Sequence, residues 1–366
     1  AAFETFQRRY GDCKDKTVVL ITLLNKLGVE AYPALVNTDL GEQLAKRLPS
    51  NRAFDHVITY VNHNGKTWWL DPTRTYQHGL IDYIHQPDFG MALVLRPGTS
   101  QLVEMAPNNT QFGLEVMDRF VLKRDTNLPV LFTTSSIYEG WNAERQRNQL
   151  ASNGQSKLQQ QYLDFFEYYY PNIQVRQDIA IKDDQRENRL AATEYYSINN
   201  FWEDNPKEGK FTSSFYPNAL SSYLDIPDEP RRQQPLYLTY PQRIAQTIEI
   251  QFADDDWNFD NETFTEKNPY FTFYYRAKYN KTAKTLKLNF KYESNSDHVP
   301  ANEYSNYINA LKKTQDYLSY GIYQYHDEDT PAPTDSSSGA ENSLFDIGWH
   351  ELDYRIFILI YLLAYV

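Results

Sequence analysis

The chain has a single cysteine in 366 residues. That excludes an internal disulfide framework and any CxxC zinc site, and leaves one thiol that is either buried filler or a reactive centre. Basic residues are outnumbered, with Lys+Arg at 36 against Asp+Glu at 48, a net charge of -12 and a pI near 5.1. Such a chain repels phosphate backbones, and without a local basic patch it excludes a nucleic-acid surface. Glycine is sparse at 14, and no glycine-rich phosphate loop occurs. There is no G-x-S-x-G nucleophile elbow, and the only run of three serines is Ser336–Ser338. His350-Glu351 lacks the second histidine of a zinc helix, and Asp254-Asp255-Asp256 lacks the spaced ligands and glycine of a calcium loop. The reading is therefore no metal and no cofactor. No internal repeat is visible. Residues 1–10 lack the basic start and apolar centre of a signal peptide, and the chain does not open on Met, so it reads as a fragment of something longer.

What is present is globular: 41% hydrophobic and 23% charged residues, on a length that suggests two or three domains. The 30 Tyr and 20 Phe favour β-rich architecture. Residues 11–95 are compact and apolar. Val18, Val19, Leu20, Leu23, Leu24 and Leu27 recur at helical spacing, with Asp12 as N-cap and Gly28 at the C-terminal end, so a helix is expected over 13–27. Strands are expected over 29–37, 54–61 and 66–70, the last two joined by the hairpin signal Asn64-Gly65. Residues 113–293 read as an antiparallel sheet interrupted by a helix over 139–168.

The chemistry starts at Tyr10-Gly11-Asp12-Cys13-Lys14-Asp15-Lys16. Cys13 falls in the first turn of the expected helix, where free N–H groups and the macrodipole favour an anion, and the thiolate is the nucleophilic form. Gly11 leaves room for a tight backbone turn. A nucleophile needs a base, and the hairpin offers one. With Asn64-Gly65 as a two-residue turn, His63 faces Lys66, Tyr60 faces Trp69, and Ile58 faces Asp71. His56 then lies diagonal to Asp71 on one face, about 7–8 Å away between backbones, within reach of a His–carboxylate hydrogen bond. Pro72 cannot join a ladder, so Asp71 marks the end of its strand. Cys13, His56 and Asp71 together have the composition of a nucleophile, a base and the group that orients the base.

The other histidines fit less well. His63 sits at the hairpin tip on the opposite face. His78 and His85 follow in Gly- and Pro-marked loops, where a surface role is expected. His298, His326 and His350 are remote in sequence.

Three stretches here resemble a known family. Gly11-Asp12-Cys13-Lys14-Asp15-Lys16 with Leu23–Ala31 resembles the cysteine-bearing helix of the transglutaminase-like superfamily. Phe54-Asp55-His56-Val57 resembles its histidine strand, and Trp68-Trp69-Leu70-Asp71-Pro72-Thr73 its aspartate strand. The match spans about residues 10–95. It implies an α+β, papain-like core, a thiolate attacking an amide carbonyl, and a thioester intermediate. It is closest to bacterial envelope-associated members, which carry β-rich domains beside the core.

The expected organisation is a transglutaminase-like catalytic core over 1–105, truncated at its N-terminus, and a β-rich domain with one helical insertion over 106–300. A helix over 301–325, a Pro/Ser-rich linker over 326–345 and the start of a transmembrane segment over 346–366 follow. The charge-free run 356–366 falls short of the about 20 residues a span needs, unless the chain continues. The expected activity is cysteine-dependent acyl transfer on peptide or protein amides. Water is the default acceptor, because no amine site is evident. The competing reading is a catalytically idle binding or scaffold protein of the envelope, using aromatic faces. On either reading the location is the periplasmic face of a bacterial membrane, anchored through the C-terminal segment.

Overall fold

A computed structural model describes residues 2–326 apart from 82, 87, 106–112 and 255. Two helices open it, α1 (Ala2–Arg8) and α2 (Cys13–Lys26). Helix α2 ends as its sequence suggests: Gly28, at φ +78°, donates to the Asn25 carbonyl, and Val29 donates to that of Leu24. This is a Schellman closure, for which glycine suits the left-handed position. Strands β1 (Glu30–Val36), β2 (His56–His63), β3 (Lys66–Leu70), β4 (Met91–Val94) and β5 (Val103–Glu104) form an antiparallel sheet in the order β3-β2-β1-β4-β5. The β2–β3 register pairs His63 with Lys66 and Tyr60 with Trp69, as the two-residue turn requires. Ile58, Tyr60 and Trp69 bury one face together with Ala34, Val36 and Met105.

The rest is sheet-rich. Strands β6 (Leu114–Val121) and β7 (Val130–Glu139) lead into α3 (Trp141–Glu167), followed by β8 (Ile173–Asp184) and β9 (Arg189–Ile198). Short strands β10 (Glu203–Asn205), β11 (Lys210–Phe215) and β12 (Leu236–Tyr237) precede β13 (Arg243–Gln251), β14 (Glu262–Lys267), β15 (Phe271–Asn280) and β16 (Thr285–Ser294). Then come β17 (His298–Val299), α4 (Tyr304–Lys312) and β18 (Tyr320–Tyr325). Eight strands make one sheet in the order β14-β15-β16-β13-β6-β7-β9-β8. Strands β7, β9 and β13 alternate buried and less buried residues along their length, as one-sided burial demands. The aromatics fill that core: Phe120 stacks on Phe132 at 4.4 Å, and Tyr170, Tyr196 and Phe271 are buried beside them or further along.

The result is a mixed α+β, sheet-rich chain, with three departures from expectation. The large sheet is not wholly antiparallel, because β13 runs parallel to β6. Those strands are far apart in sequence, so no hairpin dictates their direction. The helix expected over 301–325 is confined to Tyr304–Lys312, and Tyr320–Tyr325 is a strand paired with β11. Its aromatic residues suit a strand, and their alternation was masked by the helical spacing just before them. His85 is buried rather than on the surface. The linker, except His326, and the segment over 346–366 lie outside the described residues. Among the described residues no helix is long and apolar enough to cross a membrane.

One polar row crosses the large sheet, pairing Asp118 with Thr134 and Thr134 with Glu194. Both carboxyls are buried, at 2% and 3% exposure. Burial pushes Glu194 up to about 8 despite the hydrogen bond it accepts from the Tyr196 hydroxyl at 2.5 Å. The folded chain thus keeps a proton there that the unfolded chain loses above about 4.5. Stability from this group therefore falls as pH climbs from about 4.5 through about 8. Glu194→Gln, which cannot ionise, is expected to lose less melting temperature than the wild type between pH 5 and pH 8. Parallel melting curves at the two pH values check this.

Candidate active site

Cys13 is the first residue of α2, directly after its N-cap. The Asp12 side chain accepts the Asp15 N–H at 3.0 Å, and Asp15 accepts the Asp12 N–H at 3.4 Å. This reciprocal cap fixes where the helix begins, and so sets the thiol at the end where backbone N–H groups lack helical partners. Gly11 is needed for space: a Cβ there would stand 2.6 Å from Asp15 Cβ and 2.8 Å from Thr5 Cγ2, in the crowded approach of α1. One turn along from Cys13, the buried Thr17 hydroxyl donates to the Val57 carbonyl at 3.2 Å. That bond docks the helix on β2 at the residue next to His56.

His56 opens β2, and its Nε2 lies 2.9 Å from Asp71 Oδ2. The other carboxylate oxygen, Oδ1, accepts the Thr73 N–H at 2.9 Å and the Thr73 hydroxyl at 2.6 Å. Phe89 stands edge-on to the imidazole, with ring centroids 6.1 Å apart. Cys13 acts on the same ring electrostatically, favouring its protonated form, and its thiol is partly exposed. With Nε2–H directed at the carboxylate, Nδ1 is the ring nitrogen left to exchange a proton.

The electrostatics follow from these contacts. The Asp71 hydrogen bond lifts His56 to about 8; partial burial opposes the lift, and the Cys13 contact adds to it. For Asp71, burial pushes the carboxyl up, but the hydrogen bonds from His56 and Thr73 outweigh it and hold it below its ordinary value. A base raised in this way remains protonated at neutral pH, while its partner remains a carboxylate.

The structure thus brings together all three residues singled out in the sequence, and leaves the other described histidines apart. His63 is exposed at the hairpin tip, His298 lies 2.6 Å from Asp297, and His326 lies 3.0 Å from Asp204. His350 lies outside the described residues. Sequence reasoning missed Thr17, Thr73 and Phe89. Thr73 had a signal, because Asp-Pro-Thr allows the aspartate to accept the N–H two residues on. Thr17 and Phe89 depend on tertiary docking and had none. Among the described residues, no three His, Cys, Asp or Glu side chains converge as a metal site would need.

Because folding raises His56, its contribution to stability is complete below about 6.5 and is lost as pH rises through about 8. Asp71→Asn removes the charge that lifts the ring but leaves its burial. The His56 titration midpoint, read from its ring-proton NMR shifts, is expected to fall from about 8 to ~6.5 or below. An unchanged midpoint would show that the bond does not govern the ring.

Comparison with known proteins adds no assignment to this geometry. No family model matches the chain, and no curated protein matches it. Among solved structures, it is similar to a crystal structure of a presumed protease from Parabacteroides distasonis, with a TM-score of 0.45 and 10% identity. The alignment covers 88% of this chain and 46% of the other, so the chain spans about half the length of that protein. Likeness at that level assigns this chain neither a family nor an activity.

Proposed function

We propose that the protein is a cysteine-dependent amide hydrolase or acyltransferase of the transglutaminase-like kind, acting on peptide or protein substrates from a papain-like core. The observation that carries this reading is the His56 Nε2–Asp71 Oδ2 contact of 2.9 Å, on a ring whose protonated form is also favoured by Cys13 at the start of a helix. In this reading Cys13 Sγ attacks the amide carbonyl carbon, and the new C–S bond forms as the C–N bond breaks. The His56 imidazolium gives its proton to the departing nitrogen. Asp71 keeps the ring oriented and balances its charge. The Cys13 amide, at the first helical position, is one donor for the developing oxyanion. Water then attacks the thioester carbonyl, gives a proton to His56, and releases the acid and the Cys13 thiolate, restoring the starting pair. An amine in place of water would give transfer instead; the sequence identifies no amine site, and hydrolysis is the favoured outcome.

The same proposal extends to location, at the periplasmic face of a bacterial membrane with 346–366 as the start of an anchor. Its support is the charge-free run 356–366 and the resemblance described above. The competing reading, an idle envelope scaffold, rests on aromatic faces, and most of the large aromatics of the sheet lie inside its core.

Incubation of the purified chain with a peptide library, read by mass spectrometry for new termini, tests the activity. Cleavage is expected in the wild type and absent in Cys13→Ala, with the melting curve retained. His56→Ala is expected to slow alkylation of Cys13 by iodoacetamide about tenfold or more. Cleavage that persists in Cys13→Ala would remove the thiol from the chemistry. Absence of cleavage, together with alkylation indifferent to His56, would favour the scaffold.

A further inference from the structure

Asp71 lies one residue beyond the last β2–β3 pair, Thr59 with Leu70, so the sheet ladder does not hold it. It opens a turn instead. The Arg74 N–H donates to the Asp71 carbonyl at 3.3 Å, and Thr73 grips Oδ1 from within the turn. One end of this turn carries the carboxylate that meets His56. The other end carries a guanidinium that reaches a distant part of the chain. Arg74 Nε and Nη2 donate to Glu144 Oε2, near the start of α3, at 3.1 and 2.8 Å. The pair is well shielded, with side chains 17% and 3% exposed.

Glu144 is itself held. Asn188 Nδ2 donates to Glu144 Oε1 at 3.2 Å, and Arg147 Nη1 donates to Asn188 Oδ1 at 2.5 Å. Asn188 belongs to the turn joining β8 to β9, yet it has no exposed surface. The stretch that follows Arg74 covers it: Leu80 donates to the Arg186 carbonyl at 3.1 Å, and Arg147 Nη1 reaches the Tyr76 carbonyl at 3.4 Å. Gly79, at φ +118°, sits where a Cβ would come within 3.3 Å of Asn188 Cβ. A shielded ion pair adds little net stability compared with apolar packing of the same volume, so its use is better sought in what it holds in register.

We infer that Arg74 and Glu144 are positioning residues: the β-rich part of the chain, through Glu144, holds the Asp71–Arg74 turn so that Asp71 Oδ2 stays within hydrogen-bond distance of His56 Nε2. The consequence for turnover rests on the hydrolase reading; the geometric claim does not.

The test uses the full chain in four variants, Arg74→Ala, Arg74→Lys, Glu144→Gln and Leu158→Ala, with the His56 NMR titration as the readout. Loss of the Arg74 cation would by itself raise the midpoint of a nearby imidazole. Release of the turn lowers it, so the direction separates positioning from simple charge. In Arg74→Ala the midpoint is expected to fall from about 8 toward ~6.5. Glu144→Gln is expected to move it the same way by less, and Arg74→Lys to recover part of the loss. Leu158→Ala, a core truncation in α3, is expected to lower the melting temperature and leave the midpoint in place. For a cleaved peptide, kcat in Arg74→Ala should drop about tenfold or more with KM little changed. A wild-type midpoint in folded Arg74→Ala overturns the inference. If Arg74→Ala does not fold, a wild-type midpoint in Glu144→Gln overturns it equally. A wild type that cleaves nothing would sink the hydrolase reading, while the titration would still decide this one.

Discussion

The site depends on a two-residue turn. Asn64 and Gly65 take φ values of +51° and +76°, the left-handed pair that a tight hairpin of matching twist requires. That turn sets which residue of β3 faces which residue of β2. A slip of one position would send the Trp69 side to the opposite face from Ile58 and Tyr60, and the core would resist it. Tyr60 and Trp69 meet edge to face at 5.1 Å inside that core, so packing and turn geometry enforce one register. The same strand supplies the Val57 carbonyl that Thr17 engages. One strand therefore aligns the helix that carries the thiol and the hairpin that carries the imidazole.

Three buried carboxyls show how environment decides charge in this chain. Asp71 is 7% exposed and is held below its ordinary value, because an imidazole and two Thr73 donors face it. Asp118 and Glu194 are more deeply buried and are pushed up, to about 6 and about 8, because a few neutral donors do not offset desolvation. Gln246 Nε2 donates to Asp118 at 2.5 Å, and the Tyr196 hydroxyl serves Glu194. With so few donors, both acids hold their protons to higher pH than an ordinary carboxyl does. Within this trio only Asp71 faces an imidazole as well as two further donors, and only Asp71 is held below its ordinary value.

Local determinants were legible in the sequence, and long-range ones were not. The cap at Asp12, the glycine closing α2, and the Asn-Gly register each involve residues a few positions apart, so spacing alone reveals them. The diagonal of His56 and Asp71 followed by counting along two strands. The parallel junction of β6 with β13, the pairing of β18 with β11, and the burial of His85 and Asn188 depend on segments brought together from far along the chain. Thr73 was within reach through the Asp-Pro-Thr pattern. Arg74 was not, because nothing local indicates that its partner is Glu144, seventy positions on.

The hairpin can deliver His56 to the right face, but it stops short of Asp71. Pro72 has no N–H for the ladder, and pairing ends at Leu70. Whatever holds the carboxylate must therefore come from the turn itself and from what the turn grips. Thr73 supplies the first with two donors to one oxygen, which leaves the other oxygen aimed at the ring. Arg74 supplies the second by anchoring to an element that belongs to neither strand. Shielding an ionised aspartate against a half-buried imidazole contributes little to stability that apolar side chains would not contribute better. On the proposed hydrolase reading, the arrangement gives the ring one fixed place at which to take and return a proton, near a thiol whose own position is set by a helix cap.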